Sequence, residues 1–207
     1  MELPAHQLSM TVLMTPDTAN FSGKVHGGSI LKLLDQVAYA CASRYAAAYV
    51  VTLSVDQVVF RQPIHVGELV TFLASVNHTG SSSMEVGIKV IAENIRTQEN
   101  RHVNSCFFTM VAVDDAGKPT PVAPLRPFTP DERRRHAAAE LRANHDPRGA
   151  HYDAALEKVA HFDTFPNCVE FGPLGDAMNV GCQCHGWHRA QFFKVDSERL
   201  VNKSGNC

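Results

Sequence analysis

The feature that most constrains this chain is the stretch from Ile30 to about Ala48, which is apolar on nearly every side of a helical projection. Leu31, Leu34, Val37, Ala38, Cys41, Ala42 and Tyr45 recur at helical spacing, and Ile30, Leu33, Ala40 and Ala47 make the opposite side apolar too. A helix of that kind is predicted to be buried. Everything around it has the period of strands. Gln7 to Thr15 places Leu8, Met10, Val12 and Met14 on one parity. After the helix come Val50 to Phe60, stopped by Pro63; Glu68 to Val76, opened by Gly67; Met84 to Ala92; and His102 to Val113. Turn residues, Thr79 to Ser83 and Asp114 to Gly117, punctuate the later strands. One strand, one buried helix and four meandering strands predict an α+β fold, a curved antiparallel sheet wrapped around a single central helix.

That domain is expected to occupy residues 1–128, with a C-terminal helix over 129–144. Thr129 can cap that helix, Pro130 suits its first position and Glu132 completes a capping box. Arg133, Arg134 and Arg135 read as a solvated face. From 145 to 207 the periodicity weakens, and an extension of unknown role is expected. It contains Cys182-x-Cys184-His185-x-x-His188, with Cys168 upstream. Zinc uses such groups, but this spacing is not a usual paired-cysteine arrangement, so no metal is expected. Cys41 and Cys106 sit in apolar contexts and read as buried thiols.

Charge and hydropathy exclude some function classes. The formal net charge of -2 gives no basic field for nucleic acid. No apolar run approaches the roughly 20 residues that span a bilayer. The first residues lack a basic region followed by an apolar one, so a cytoplasmic location is expected.

Asp35 is the most informative single residue, because isolated carboxylates are costly to bury and burial raises their pKa towards general-base values. Two plainer readings stand beside that one: an ion pair with Lys32, or a carboxylate favoured by the helix dipole. Gly27 and Gly28 at the helix entrance shift the balance. They permit close approach to first-turn N–H groups, which stabilise a developing oxyanion.

The run Asn20 to Gly28, followed by Ile30-Leu31-Lys32 and Asp35-Gln36-Val37-Ala38, resembles the signature of hot-dog-fold acyl-CoA thioesterases. Val55 to Ile64, Val66-Gly67-Glu68 and Gly80 to Val86 extend the likeness, which covers roughly residues 7 to 144. The resemblance implies hydrolysis of acyl-CoA to a fatty acid and coenzyme A, with CoA as part of substrate and product and no cofactor. Asp35 matches the family's general base or nucleophile, and Asn20 its thioester- or water-orienting asparagine. The resemblance also implies that the two residues facing one thioester come from different protomers. A dimer is then the smallest active unit, and a trimer of dimers, a hexamer, the expected assembly.

Around that pair, His26 is expected to shape the loop and, with Gly27 and Gly28, to position substrate. Gly80, Ser81, Ser82 and Ser83 are candidates for contacts with CoA, or equally a polar hairpin turn. Arg61, Lys89 and Arg96 are candidates for its phosphates. No Gly-x-Ser-x-Gly elbow supports a serine triad. The alternatives are a hydratase or dehydratase, whose Asp-x-Asn-Pro-x-His pattern is missing, and a non-catalytic acyl-CoA-binding protein.

Overall fold

Burial sorts the long helix into two unlike faces. A computed structural model describes residues 3–56 and 58–145. In it, α1 (Gly27–Ala46) buries Ile30, Leu34, Val37, Ala38, Cys41 and Ala42 completely. Those positions follow the spacing of one helical stripe. Opposite them Leu31, Asp35 and Tyr39, each four residues apart, are exposed. The expectation of burial all round is therefore corrected for the single chain. One sheet covers one side of a helix, and among the described residues nothing covers the apolar residues on the other side.

The sheet has five strands: β1 (Gln7–Leu13), β2 (Tyr49–Val55), β3 (Leu69–Thr79), β4 (Ser83–Asn94) and β5 (Glu99–Val113). Their spatial order is β1-β3-β4-β5-β2, antiparallel throughout. The architecture is the predicted α+β one, and α1 touches all five strands. Phe72, Val86, Val90, Phe108 and Met110 project from β3, β4 and β5 into the core that receives the helix. Truncating any of these large side chains to alanine would cost about 2–5 kcal/mol.

Two details depart from the sequence reading. Only β3, β4 and β5 form a meander; β2 crosses to the far edge and pairs with β5. It also ends at Val55 rather than Phe60. Beyond it the chain runs beside β5 with isolated bonds, from the Asp56 N–H to the Phe107 carbonyl (2.9 Å) and from the Arg61 N–H to the Val103 carbonyl (2.9 Å). The buried Asn104 amide donates to the Val59 carbonyl at 3.0 Å, holding the same segment. The alternation of residues 56–60 thus reflects packing along β5, without a continuous ladder.

Helix α2 (Pro130–His145) lies over β3. Its start is the predicted capping box: the Glu132 N–H donates to Thr129 Oγ1 (3.2 Å), and Glu132 Oε2 accepts from the Thr129 N–H (3.0 Å). Oε2 also accepts from the Phe128 N–H at 2.8 Å, and Oε1 meets His6 Nε2 at 3.1 Å. Further along, Arg142 grips Glu85 of β4 with two bonds of 2.8 and 2.7 Å and lies 3.7 Å over the Phe107 ring. Arg133 and Arg134 are exposed, as predicted, whereas Arg135 is half-buried, with its Nε buried. Cys41 and Cys106 are buried free thiols, and burial pushes them up to about 11 and about 12. The predicted cysteine–histidine cluster of the extension lies outside the described residues. Among those residues, no helix is long and apolar enough to cross a membrane.

The Thr129 N–H, with those of Phe128 and the His6 side chain, depresses Glu132 to about 2. A carboxylate lowered on folding stabilises above its ordinary value near 4.5, and that contribution is lost as the pH falls towards 2. Glu132→Gln should therefore cost about 1–2 kcal/mol at neutral pH. In thermal melts its deficit should shrink progressively below pH 4.5 and be nearly gone by about pH 2.

Candidate active site

The exposed stripe of α1 faces the start of β2, and there a carboxylate and a hydroxyl meet beside a cleft. The Thr52 hydroxyl donates to Asp35 Oδ1 at 2.7 Å. A register shift between Thr52 and Ser54 inserts Leu53 as an extra residue immediately after the threonine. Bulges of this sort re-aim side chains beside functional sites. The carboxylate opens into a cleft of about 310 Å³ lined by Gln36, Tyr39, Tyr49, Val50, Val51 and Thr52. Tyr39 and Tyr49 stack edge to face across it, with ring centroids 5.9 Å apart.

Neither plainer reading of Asp35 fits this geometry. Among the described residues no ion pair joins it to Lys32, and it stands beyond the first turn of α1, where the helix dipole acts. Nor is the carboxylate buried within one chain. An acceptor held by one hydroxyl, on an apolar surface, is poised to be desolvated by whatever covers that surface.

Asn20 lies elsewhere. It sits in a tight loop whose backbone closes through Asn20 N–H to the Lys24 carbonyl (2.6 Å) and Gly23 N–H to the Asn20 carbonyl (3.0 Å). Gly23, at φ 74°, takes the left-handed conformation that this turn requires. The Asn20 side-chain oxygen accepts from the Ser22 N–H (2.9 Å), the Ser22 hydroxyl (2.8 Å) and the Lys24 N–H (3.2 Å). Its oxygen is saturated, so the amide N–H donors are what Asn20 can offer a ligand. They border a second cleft of about 300 Å³, walled by Lys24, Gly27, Ile30, Phe60, Arg61 and the 62–64 segment. Arg101 braces that wall by donating to the Pro63 carbonyl (3.1 Å) and pairing with buried Glu68.

The remaining predicted residues divide between these surroundings and the scaffold. His26 is the N-cap of α1: its Nδ1 accepts from the Gly28 N–H at 2.9 Å. The His26 carbonyl takes the Ser29 and Ile30 N–H groups (3.0 and 3.4 Å). Gly27 borders the Asn20 cleft, and so does exposed Arg61. Gly80 to Ser83 line neither cleft. They turn between β3 and β4, with the Gly80 N–H bonded to the Ser83 carbonyl (2.8 Å). The Ser82 and Ser81 carbonyls accept from Ala112 and Val122, both at 2.9 Å. Lys89 and Arg96 are exposed and also line neither cleft. Thr52 escaped the sequence reading, since a threonine in a strand is ordinary until its partner is seen.

Comparison with known proteins agrees with this architecture. Residues 22–99 match the family model described as the thioesterase superfamily. The chain is 54% identical over 143 residues to protein VdlD of Helicobacter pylori, covering 69% of this chain and 82% of that one. It is 36% identical over 148 residues to YkhA of Bacillus subtilis, named as an uncharacterized acyl-CoA thioester hydrolase, covering 72% and 86%. The chain belongs to the thioesterase superfamily. An apo-hexameric acyl-CoA thioesterase superposes with a TM-score of 0.68 at 36% identity, covering 70% of this chain and 94% of its own. The acyl-CoA hydrolase of Staphylococcus aureus, solved with butyryl-CoA and CoA, superposes at 0.66 with 27% identity, covering 75% and 96%. That enzyme has also been solved with alanine replacing, in turn, an asparagine, an aspartate and a threonine. The aspartate stands 15 residues after the asparagine and the threonine 17 after the aspartate, the separations of Asn20, Asp35 and Thr52 here. The predicted hot-dog fold and the predicted family are both correct.

The two glycines should respond differently to alanine. A Cβ on Gly28 would stand 2.9 Å from His26 Nδ1, whereas one on Gly27 would meet the Phe60 ring at an ordinary 3.7 Å. Gly28→Ala should displace the capping imidazole, costing about 1 kcal/mol and lowering Tm by roughly 2–4 °C. Gly27→Ala should leave Tm nearly unchanged, and differential scanning fluorimetry of both variants checks the contrast.

Proposed function

We propose that the protein is an acyl-CoA thioesterase whose active site is completed between two protomers, pairing Asp35 and Thr52 of one with Asn20 of the other. The observation that carries this reading is the Thr52–Asp35 bond in one open cleft while Asn20 borders a different one. Each half is rimmed by apolar side chains that a monomer leaves in water: Leu31, Tyr39, Tyr49 and Val55 on one side, Phe21 and Phe60 on the other. Among the described residues β2 is an unpaired sheet edge, and exposed apolar edges call for a partner. The spacing shared with the three substituted residues of the Staphylococcus aureus enzyme supports the same trio.

In this mechanism water attacks the thioester carbonyl while Asp35 takes its proton as general base. The Thr52 hydroxyl fixes one carboxylate oxygen and leaves the other towards the cleft. The carbonyl oxygen becomes an oxyanion, held by the Asn20 amide and by the Gly27 N–H, the first-turn donor that His26 does not engage. Collapse breaks the C–S bond, releasing the acid and the CoA thiolate, which takes the proton back from Asp35. The same carboxylate could instead attack directly and be regenerated by water. That Arg61 borders the same cleft as Asn20 supports it as a cation for a CoA phosphate, whereas the Gly80–Ser83 turn, outside both clefts, gains no such support. Three such dimers would form a hexamer, working in the cytoplasm.

A thiol-release assay from acetyl- to palmitoyl-CoA tests the activity. Asp35→Ala should lower kcat by roughly 10²–10⁴-fold with folding intact. Binding without turnover in the wild type would instead identify a binding module, and hydrated product without free thiol a hydratase. Subunit mixing tests the shared site. Asn20→Ala and Asp35→Ala proteins, each inactive, should regain about a quarter of wild-type activity when refolded together, because half the dimers are mixed and each of those has one intact site. No recovery would place both residues in one protomer's site.

A further inference from the structure

On the other face of the sheet, away from α1, a second cluster of ligating side chains gathers. Along β3, Val70, Phe72, Ala74 and Val76 point into the core, and by strict alternation position 78 would follow them. It does not. The register slips between Val76 and His78, so that Val76 faces Val86 but His78 faces Glu85, whose side chain is held by Arg142 of α2. Asn77 is the extra residue; it is buried and bonded to Ser75 Oγ (2.7 Å) and Glu85 Oε1 (3.3 Å). Gly87 makes room for it, since a Cβ there would stand 2.3 Å from the Asn77 amide nitrogen. The bulge therefore turns His78 towards α2.

There it meets His136 and Glu140, one helical turn apart on α2. The His78 and His136 ring centroids are 5.4 Å apart, and His136 Nδ1 lies 3.7 Å from Glu140 Oε1. One ligand atom from each of the three residues falls within 4.8 Å of the others. Donors around a tetrahedral zinc, bound at about 2.0–2.1 Å, are separated by roughly 3.4 Å. His136 and Glu140 already stand near that spacing at 3.7 Å, and the Glu140 side chain, 51% exposed, has room to adjust towards His78. Two imidazoles and one carboxylate suit zinc or a similar borderline cation, with the fourth position open to water.

We propose that His78, His136 and Glu140 form a divalent-metal site that staples α2 to β3. The site is separate from both clefts, and its occupancy does not depend on the reaction proposed above. The test uses the full chain after chelator treatment, titrated with cobalt(II) and zinc(II). Cobalt should give visible d–d bands that saturate, and zinc at about 100-fold its Kd should raise Tm by roughly 5–10 °C. Both effects should vanish in His78→Ala and His136→Ala and weaken in Glu140→Gln, whose exposed, near-isosteric change leaves folding intact by circular dichroism. Thiol release should be unaltered in Glu140→Gln. The cysteines of the extension would announce themselves by a thiolate-to-cobalt charge-transfer band. Absence of binding, binding with only that band, or binding unchanged in the histidine variants would overturn the proposal.

Discussion

The structure depends on one unequal bargain between helix and sheet. Five strands can enclose only one side of α1, yet the helix is apolar around most of its circumference. The covered stripe, from Ile30 to Ala42, is where the hydrophobic free energy of the fold is concentrated. The uncovered stripe, Leu31, Asp35 and Tyr39, carries the carboxylate that accepts from Thr52. The packed core and the proposed chemistry lie on opposite faces of the same element. The apolar excess that looks wasteful in one chain is what makes a second chain a natural partner.

This division fits the two open clefts, of about 310 and 300 Å³, that border Asp35 and Asn20. Among the described residues no further strand continues the sheet beyond β2, so the Asp35 cleft is open on that side. Asp35 held by Thr52 and Asn20 saturated by its own loop are both pre-organised before any substrate arrives. Pre-organisation removes reorganisation cost at the moment of reaction. The wall around Asn20 is held by polar bonds in or near the core, the Arg101–Glu68 pair and the Asn104 amide donating to the Val59 carbonyl.

The outer face obeys different rules. There α2 is attached by side-chain pairs rather than by a large apolar seam: the Arg142–Glu85 fork, the Arg142–Phe107 stack and the Glu132 capping network. An attachment made of polar pairs leaves room for a histidine cluster between helix and strand, and a single bulge at Asn77 supplies the third ligand. The same device, one inserted residue, acts at both places. It displaces Leu53 beside Thr52 and redirects His78 towards α2.

By itself the sequence determined the element order, the α+β class, the capping box of α2, the buried thiols and the candidacy of Asn20 and Asp35. Those follow from local periodicity, cap chemistry and short motifs, which act between residues near in sequence. Tertiary structure alone decided that β2 crosses to the far edge, that α1 is covered on one side only, and that His26 rather than a ligand engages the Gly28 N–H. It alone joined Thr52 to Asp35 and brought His78 to His136. Each of these is a contact between residues distant in the chain or a one-residue slip in register, and alternation of side chains carries no record of either until the strands are paired.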